Sequence, residues 1–277
     1  LEPALVSGLI STGINVFLLG PLPSNGLAML TKSMRADLGI MITASHSPAS
    51  QNGIKLFSNT GYKLDEQSEL IIENNILINL ENKSGNDSGT HITHATDYNK
   101  INKYIETVNN NLFLDDVQNS FLIDCSNGSN SHIAELVFKT HPTFTIIDNQ
   151  PNGKNINLNC GALEPKRLLN LVRRGSHDYG IAFDGDADRA IFVSRDYGII
   201  ETEKLIVLFA KYLYKNSSNN IVISSEICNK ALEINLKENG FKLFQTDVGD
   251  RLVVNSVVSH EAILGSEPSG HFFFPRL

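Results

Sequence analysis

The 277-residue chain contains no tryptophan and three cysteines, and its acidic residues outnumber its basic ones. Cys125, Cys160 and Cys228 lie far apart without a C-x-x-C pair, which excludes a cysteine-only zinc site and favours a reducing cytoplasm. The net charge of −7 comes without a basic patch, which argues against nucleic acid as a partner. Neither an apolar run of about 18 residues nor a signal peptide is recognisable, so we expect a cytoplasmic protein without a membrane partner.

Strands alternate with helices along most of the chain. We predict an α/β fold of consecutive α/β/α sandwich domains with mixed, mostly parallel sheets. The predicted helices are 1–12 (closed by Gly13), 24–35, 130–139 and 227–238. The predicted strands are 14–19, the segment running into Ser45, 121–124, 144–147, 179–183, 191–193, 221–224 and 241–244. The first three of these elements, 14–19, 24–35 and the strand into Ser45, read as a β-α-β unit. The polar stretch 81–91 is predicted to be a long loop before a boundary near Asp97.

Three carboxylates stand on alternate residues in D-G-D-A-D-R, 184–189, directly after the apolar strand 179–183. At this density they repel one another unless a cation lies between them, and Mg²⁺ takes such oxygens while leaving positions for a phosphate oxygen. A calcium loop of the EF-hand kind needs Gly at its sixth position and Glu at its twelfth, where this chain has Arg189 and Arg195. The alternative that remains is a solvated acidic turn.

Two further polar segments carry candidate functional groups. Pro48 biases Ser47 away from helix, so Ser45 and His46 are expected on an exposed turn at the carboxyl end of a strand, where ligands bind in open α/β sheets. The segment G-S-E-P-S-G-H, 265–271, combines flexible glycines with a carboxylate, a hydroxyl and an imidazole. Each segment taken alone is a weak signal.

Together, and in this order, the segments resemble one superfamily, the α-D-phosphohexomutases. T-A-S-H with Pro48 is similar to their phosphoserine loop, 184–189 to their metal loop, and 267–271 to their sugar-binding loop. V-G-D-R, 248–251, matches an element that precedes the sugar loop in the bacterial branch. Within the superfamily, three segments resemble bacterial phosphoglucosamine mutases in particular: G-P-L-P-S (20–24), D-C-S-N-G (124–128) and P-N-G-K-N-I-N (151–157).

The resemblance implies a ping-pong phosphoryl transfer through a phosphoserine, one Mg²⁺ per site and a hexose 1,6-bisphosphate primer. His271 and Lys55 are implied proton-transfer groups, and His46 is expected to orient the loop. The implied catalytic residues are Ser45, His46, Lys55 and His271. The implied substrate-binding residues are Glu267, Ser269, Arg251 and Arg189. The implied metal ligands are Ser45, Asp184, Asp186 and Asp188.

The resemblance also implies a domain division: a partial first domain, 1–97, a second domain, 98–200, and a partial third domain, 201–277. The chain begins at Leu1 without Met and ends just past the sugar loop, so we expect truncation at both ends. The phosphate-binding fourth domain would then be absent, and a missing C-terminal polypeptide is the partner that could supply it. S-G-T at 88–90 looks like that domain's phosphate loop only by coincidence.

Two substitutions depart from the family pattern. Ser47 replaces the usual Asn and removes an amide that would help to order the phosphoserine loop. Ala187 replaces the usual Gly, which matters only if the position needs a positive φ, at a cost of about 1 kcal/mol.

The sequence leaves three functions open. The first is interconversion of glucosamine 6-phosphate and glucosamine 1-phosphate, as in the synthesis of peptidoglycan precursors. The second is the same chemistry on mannose or glucose phosphates. The third is a non-catalytic fragment that only binds metal or sugar phosphate. Since a phosphate clamp fixes substrate orientation, we expect this chain to be weak or inactive alone.

Overall fold

The computed structural model describes residues 1–81, 92–93, 98–112, 118–138, 141–215 and 219–275. The helices of these residues are α1 (Glu2–Ser11), α2 (Ser24–Ser33), α3 (Glu66–Glu81), α4 (Tyr98–Asn110), α5 (Ser131–Phe138), α6 (Pro165–Arg174), α7 (Thr202–Tyr214), α8 (Lys230–Glu238) and α9 (Asp250–Ser259). The strands are β1 (Val16–Phe17), β2 (Leu38–Ile42), β3 (Ile54–Ser58), β4 (Ile92–Thr93), β5 (Phe121–Asp124), β6 (Phe144–Ile147), β7 (Tyr179–Phe183), β8 (Ala190–Ser194), β9 (Gly198–Ile200), β10 (Ile221–Ser225), β11 (Lys242–Thr246), β12 (Leu264–Glu267) and β13 (His271–Phe273).

Contacts within the chain define two units. The first comprises Leu1–Ala44 and Gln51–Asn110, and the second comprises Ser45–Ser50 and Asn111–Leu277. The short segment Ser45–Ser50 therefore belongs with the second unit, although both of its flanks belong to the first.

The first unit contains two short strand pairs. Strand β1 pairs in parallel with β4, and β2 pairs antiparallel with β3. The Tyr104 hydroxyl on α4 donates a hydrogen bond to Asn25 Oδ1 on α2 over 3.0 Å, which joins these two helices. Because the described partner of β2 is the antiparallel β3, the predicted β-α-β pairing is not found among the described residues. The predicted strand 14–19 is also too long, since only Val16 and Phe17 have ladder partners there.

The second unit holds a five-stranded sheet of order β6-β5-β7-β8-β9. Strand β5 runs parallel to both β6 and β7, and the two remaining pairings are antiparallel. Leu122 packs in a core with Leu168 and Val172 of α6, whereas the next residue, Ile123, packs with Ala134 of α5. Successive side chains of a strand point to opposite faces, and helices cover both faces of this strand, so β5 is apolar from Phe121 to Ile123 and ends in the buried Asp124.

A four-stranded sheet of order β11-β10-β12-β13 repeats this plan in the same unit. Val222 of β10 packs with Leu232 and Leu236 of α8, while Ile223 packs against the opposite helix, α9. Only the pairing of β12 with β13 is antiparallel. Both sheets of the second unit are therefore mixed and lie between helices, which confirms the predicted α/β/α fold class.

Several predicted boundaries are close to the observed ones. Strands 121–124, 144–147 and 179–183 are reproduced to the residue, and the helix predicted from 227 begins at Lys230. Helices α3, α4, α6, α7 and α9 and strands β3, β4, β9, β12 and β13 were not predicted from the sequence. The predicted loop 81–91 beyond Glu81, the S-G-T segment 88–90 and the boundary near Asp97 lie outside the described residues. The three-domain division stays a prediction.

Among the described residues, no helix combines the length and the apolar character that crossing a bilayer would require.

Two adjacent valines of α9 provide a test of the second sheet's core. Val257 is fully buried against Ile223 and Val253, whereas Val258 is 51% exposed. We expect Val257→Ala to lower the free energy of unfolding by about 2 kcal/mol, because two buried methyl groups are lost and a cavity remains. Urea denaturation measures this, with Val258→Ala as the control for helix propensity. Equal effects of the two substitutions would contradict the burial pattern.

Candidate functional site

The acidic turn 184–189 connects β7 to β8 at the carboxyl end of β7. Carboxylate oxygens of Asp184, Asp186 and Asp188 lie within 4.8 Å of one another. Asp184 and Asp186 are buried, and Asp188 is half-buried. The turn is closed by hydrogen bonds from Ala187 N to Asp184 O (3.0 Å) and from Arg189 N to Asp184 Oδ1 (3.1 Å). Ala187 has a φ of 55°, so this position does need the left-handed backbone, and its Cβ costs about 1–2 kcal/mol.

Burial and repulsion between like charges both raise the pKa of Asp184, the first carboxylate of this turn. Desolvation, followed by repulsion from Asp188 and Asp186, raises the pKa of Asp184 to about 7. Hydrogen bonds from the Ser45 hydroxyl and from Arg189 N act in the opposite direction. A divalent cation among the three carboxylates would remove the repulsion, and hard cations take oxygen ligands of this kind. The donor set therefore fits a hard divalent metal ion.

Ser45 lies against this acidic turn. Its Oγ donates a hydrogen bond to Asp184 Oδ2 over 2.6 Å, and its backbone has a φ of 52°. The backbones also approach closely, since a Cβ atom at Gly185 would lie 2.5 Å from Ser45 O. Asn157 Nδ2 donates to Ser45 O and to Ser47 O, each over 2.9 Å. The fold thus brings the Ser45 hydroxyl and the carboxylate cluster together.

A partly buried ionic network of Asp124, Asp148 and Arg167 lies next to the acidic turn. Asp124 is fully buried at the end of β5 and accepts hydrogen bonds from Ser126 N (2.9 Å) and Gly161 N (2.8 Å). Arg167 Nη1 contacts Asp148 Oδ2 at 2.7 Å and Asp124 Oδ2 at 3.4 Å. Desolvation raises the pKa of Asp124 to about 6, although the hydrogen bonds from Gly161 N and Ser126 N lower it.

This network fixes the turn that follows β5. That turn contacts the acidic turn 184–189. Ser129 N donates to Gly185 O over 2.8 Å. A Cβ atom at Gly128 would collide with the same carbonyl oxygen, so the close approach requires glycine there. The ionic network therefore affects the site by fixing the backbone position of the turn that contacts it.

The predicted sugar loop forms the connection between β12 and β13, in which Glu267 and His271 are paired residues. Ala190 N donates to Gly270 O over 2.9 Å, and Arg189 forms a backbone bridge with His271. Gly270 has a φ of 90°, and a Cβ atom there would lie 2.8 Å from Ala190 O. The predicted sugar loop is thus hydrogen-bonded through its backbone to the C-terminal end of the acidic turn.

The polar groups of the sugar loop face the start of α9. Glu267 Oε1 accepts a hydrogen bond from Gly249 N (3.0 Å), and His271 Nδ1 lies 3.8 Å from Asp250 Oδ2. Arg251 is the second residue of α9, and Arg251 N donates to Asp250 Oδ1. Ser269 Oγ is shielded from solvent without a hydrogen-bond partner among the described residues, which leaves it available to a ligand.

Most of the predicted site residues therefore lie in the second unit. Contacts or short backbone links there connect Ser45, Asp184, Asp186, Asp188, Arg189, Glu267, Ser269 and His271. His46 is half-buried beside Ser45 in the same segment. Lys55 lies in the first unit, on β3 opposite Met41. The roles assigned to these residues stay predictions.

No role was predicted from the sequence for Asn157, Asp124, Arg167 or Asp250. Asp124 had a local signal, since a carboxylate ending an otherwise apolar strand needs buried partners. Asn157 had only the weaker signal of an asparagine-rich, non-helical segment after β6.

Known proteins share this fold and much of this sequence. The sequence model "Phosphoglucomutase/phosphomannomutase, alpha/beta/alpha domain I" matches residues 1–83, and that of domain III of the same family matches residues 201–277. A phosphoglucosamine mutase from Campylobacter hominis is 40% identical over 99% of this chain and 63% of its own length.

Two solved structures show the same fold. A phosphoglucomutase/phosphomannomutase family protein from Burkholderia thailandensis superposes with a TM-score of 0.79 at 23% identity, over 99% of this chain and 60% of that one. The Aspergillus fumigatus N-acetylphosphoglucosamine mutase, solved with glucose 1,6-bisphosphate, gives a TM-score of 0.57 at 18% identity, over 91% and 64%.

The fold is therefore that of the α/β/α sugar-phosphate mutases, and the two family matches together cover more than half of the chain. The chain belongs to the phosphoglucomutase/phosphomannomutase family of the α-D-phosphohexomutase superfamily. It spans less than two thirds of the length of the curated relatives it matches.

The raised pKa of Asp184 predicts how stability without metal depends on pH. The native carboxyl holds its proton up to about pH 7 and the unfolded one only to about pH 4, so ionisation destabilises the native state as pH rises between them. In EDTA, Asp184→Asn should therefore be more stable than wild type at pH 8, and the difference should shrink as the pH is lowered towards 4. Urea midpoints measure this difference.

Added Mg²⁺ should reverse the order at pH 8, because a ligand that binds only the native state stabilises it. A destabilised Asp184→Asn protein in EDTA at pH 8 would contradict the assigned repulsion.

Proposed function

We propose that the protein is an intramolecular phosphotransferase of the phosphoglucosamine mutase type, which interconverts glucosamine 6-phosphate and glucosamine 1-phosphate. The observation that carries this proposal is the 2.6 Å hydrogen bond from Ser45 Oγ to Asp184, within a cluster of three carboxylates. It places a nucleophilic hydroxyl beside a metal-competent set of oxygens, which is the arrangement that phosphoryl transfer through a phosphoserine requires. The 40% identity to a curated phosphoglucosamine mutase supports the choice of sugar.

The transfer consists of two half-reactions at Ser45. In the first, the C1 hydroxyl oxygen of glucosamine 6-phosphate bonds to the phosphorus of phosphorylated Ser45, the bond from phosphorus to Ser45 Oγ breaks, and a 1,6-bisphosphate results. The proton of the sugar hydroxyl leaves to a base, and Ser45 Oγ gains a proton. In the second, Ser45 Oγ loses its proton and takes the phosphoryl group from C6, and the C6 oxygen is protonated. A hexose 1,6-bisphosphate can prime the cycle by the second step alone.

Metal binding and proton transfer are assigned to different residues in this proposal. Asp184, Asp186 and Asp188 would hold one Mg²⁺, which when bound supplies charge neutralisation for the transferring phosphoryl group. His271 and Lys55 are the proposed proton-transfer groups, and His271 is joined to the acidic turn by its backbone bridge with Arg189.

The remaining proposed roles concern the loop and the sugar. His46 orients the Ser45 loop. Glu267 and Ser269 contact ring hydroxyls, and the side chains of Arg189 and Arg251 offer positive charge to the phosphorylated substrate. The neighbour solved with glucose 1,6-bisphosphate supports a bisphosphate intermediate here.

A cytoplasmic location is part of the proposal. All three cysteines, Cys125, Cys160 and Cys228, are free thiols, and two of them are buried, which suits a reducing compartment.

The second candidate function is the same chemistry on mannose or glucose phosphate, favoured by the domain matches to phosphoglucomutase and phosphomannomutase. Parallel assays of glucosamine, mannose and glucose phosphates separate the two candidates. A chain that binds Mg²⁺ but transfers nothing would instead support the non-catalytic alternative.

The proposal predicts which hydroxyl becomes phosphorylated. We expect incubation with glucose 1,6-bisphosphate and Mg²⁺ to add one phosphoryl group to Ser45, located by peptide mass spectrometry, and EDTA to abolish the transfer. Ser45→Ala should remove the modification and any conversion of glucosamine 6-phosphate. Ser50→Ala is the matched control, because it makes the same change at an exposed position of the same segment. Phosphorylation that persists in Ser45→Ala would overturn the proposal.

A further inference from the structure

Resting on the function proposed above, we propose that Asn157 is a positioning residue whose side-chain amide fixes the backbone of the Ser45 loop for phosphoryl transfer. Asn157 Nδ2 donates to Ser45 O and to Ser47 O, each over 2.9 Å. The two hydrogens of one amide nitrogen are thus divided between two carbonyl oxygens. Because both partners can only accept, the atom that faces them must be the nitrogen.

This amide fixes the Ser45–His46 and Ser47–Pro48 peptide groups. Fixing the carbonyls of Ser45 and Ser47 restricts rotation of the backbone between them. Ser45 itself is held at a φ of 52°, a conformation that residues with a Cβ atom rarely adopt. A loop without this clamp would relax towards common backbone angles and carry Ser45 Oγ away from Asp184.

Asn157 is itself firmly anchored. Its backbone N–H donates to Ser126 O over 2.9 Å, and Ser126 N donates in turn to the fully buried Asp124. Asn157 has a φ of 56°, which asparagine tolerates better than most residues. The clamp therefore connects the nucleophile loop to the rigid end of β5.

The position of the nucleophile matters because transfer needs the attacking and leaving oxygens in line with phosphorus. A displacement of about 1 Å in such an arrangement lowers the rate by about a hundredfold. Asn157 touches the loop's backbone through its amide, so its loss should change the maximal rate of transfer more than substrate binding.

Two substitutions on the full chain test the clamp. Asn157→Asp keeps the shape but directs an acceptor at two carbonyl oxygens, and Asn157→Gly removes the donor while tolerating the positive φ. Asn152→Asp is the matched control, because it adds the same charge to the same loop and its oxygen can still accept from Lys154 N. Mass spectrometry follows hydrogen exchange across residues 44–50 and the rate of phosphoryl transfer from glucose 1,6-bisphosphate to Ser45.

We expect both Asn157 variants to exchange faster across residues 44–50, with unchanged exchange in β7 and β10. The maximal rate of transfer should fall by about tenfold to a hundredfold, with little change in the half-saturating bisphosphate concentration. Asn152→Asp should match wild type in each measurement. Unchanged loop exchange in both Asn157 variants, or a change in half-saturation alone, would overturn the inference.

Failure of the proposed function would look different. If wild type accepts no phosphoryl group at Ser45, that function fails, and loop exchange alone then decides whether Asn157 holds the loop.

Discussion

Electrostatic repulsion among three aspartates is the constraint on which the rest of the site depends. Asp184, Asp186 and Asp188 converge in one turn, where burial and then repulsion from Asp188 and Asp186 raise the pKa of Asp184. The Ser45 hydroxyl and the backbone N–H of Arg189 donate hydrogen bonds to Asp184. The three carboxylates together also form a set of oxygens that fits a cation. The same electrostatic demand thus explains both the local fold and the chemistry proposed for it.

The backbone around this cluster is held away from its preferred conformations. Residues other than glycine with positive φ in these segments are Ser45, Ser126, Asn127, Asp148, Asn157, Asn159 and Ala187. Each such residue costs about 1–3 kcal/mol and persists only where its surroundings over-determine it. Here the determining contacts are the ionic network of Asp124, Asp148 and Arg167, of which Asp124 is fully buried, and the amide of Asn157. These contacts leave the backbone at Ser45 little freedom, which suits the phosphoryl transfer proposed for it.

Local patterns in the sequence predicted much of this, and contacts between distant residues account for the rest. Apolar runs with polar ends located strands such as 144–147 and 179–183, and the alternation of aspartates located the metal turn. The sequence shows that Ala187 replaces a usual glycine, but it does not show whether the position needs the left-handed backbone. The partners of Asn157 lie 112 and 110 positions away, so no local pattern could reveal them. Ser47 was expected to deprive the loop of an ordering amide, yet an amide reaches that loop from Asn157.

The pairing of Glu267 with His271 constrains how the sugar loop can vary among relatives. Only three residues, 268–270, separate these two positions, and the second strand also bridges to Arg189. Side chains alternate between the faces of a strand, so one inserted or deleted residue would turn the imidazole to the opposite face. Sequence diversity at this hairpin should therefore consist of substitutions at constant length, and relatives with a longer loop would have to place their imidazole on another element.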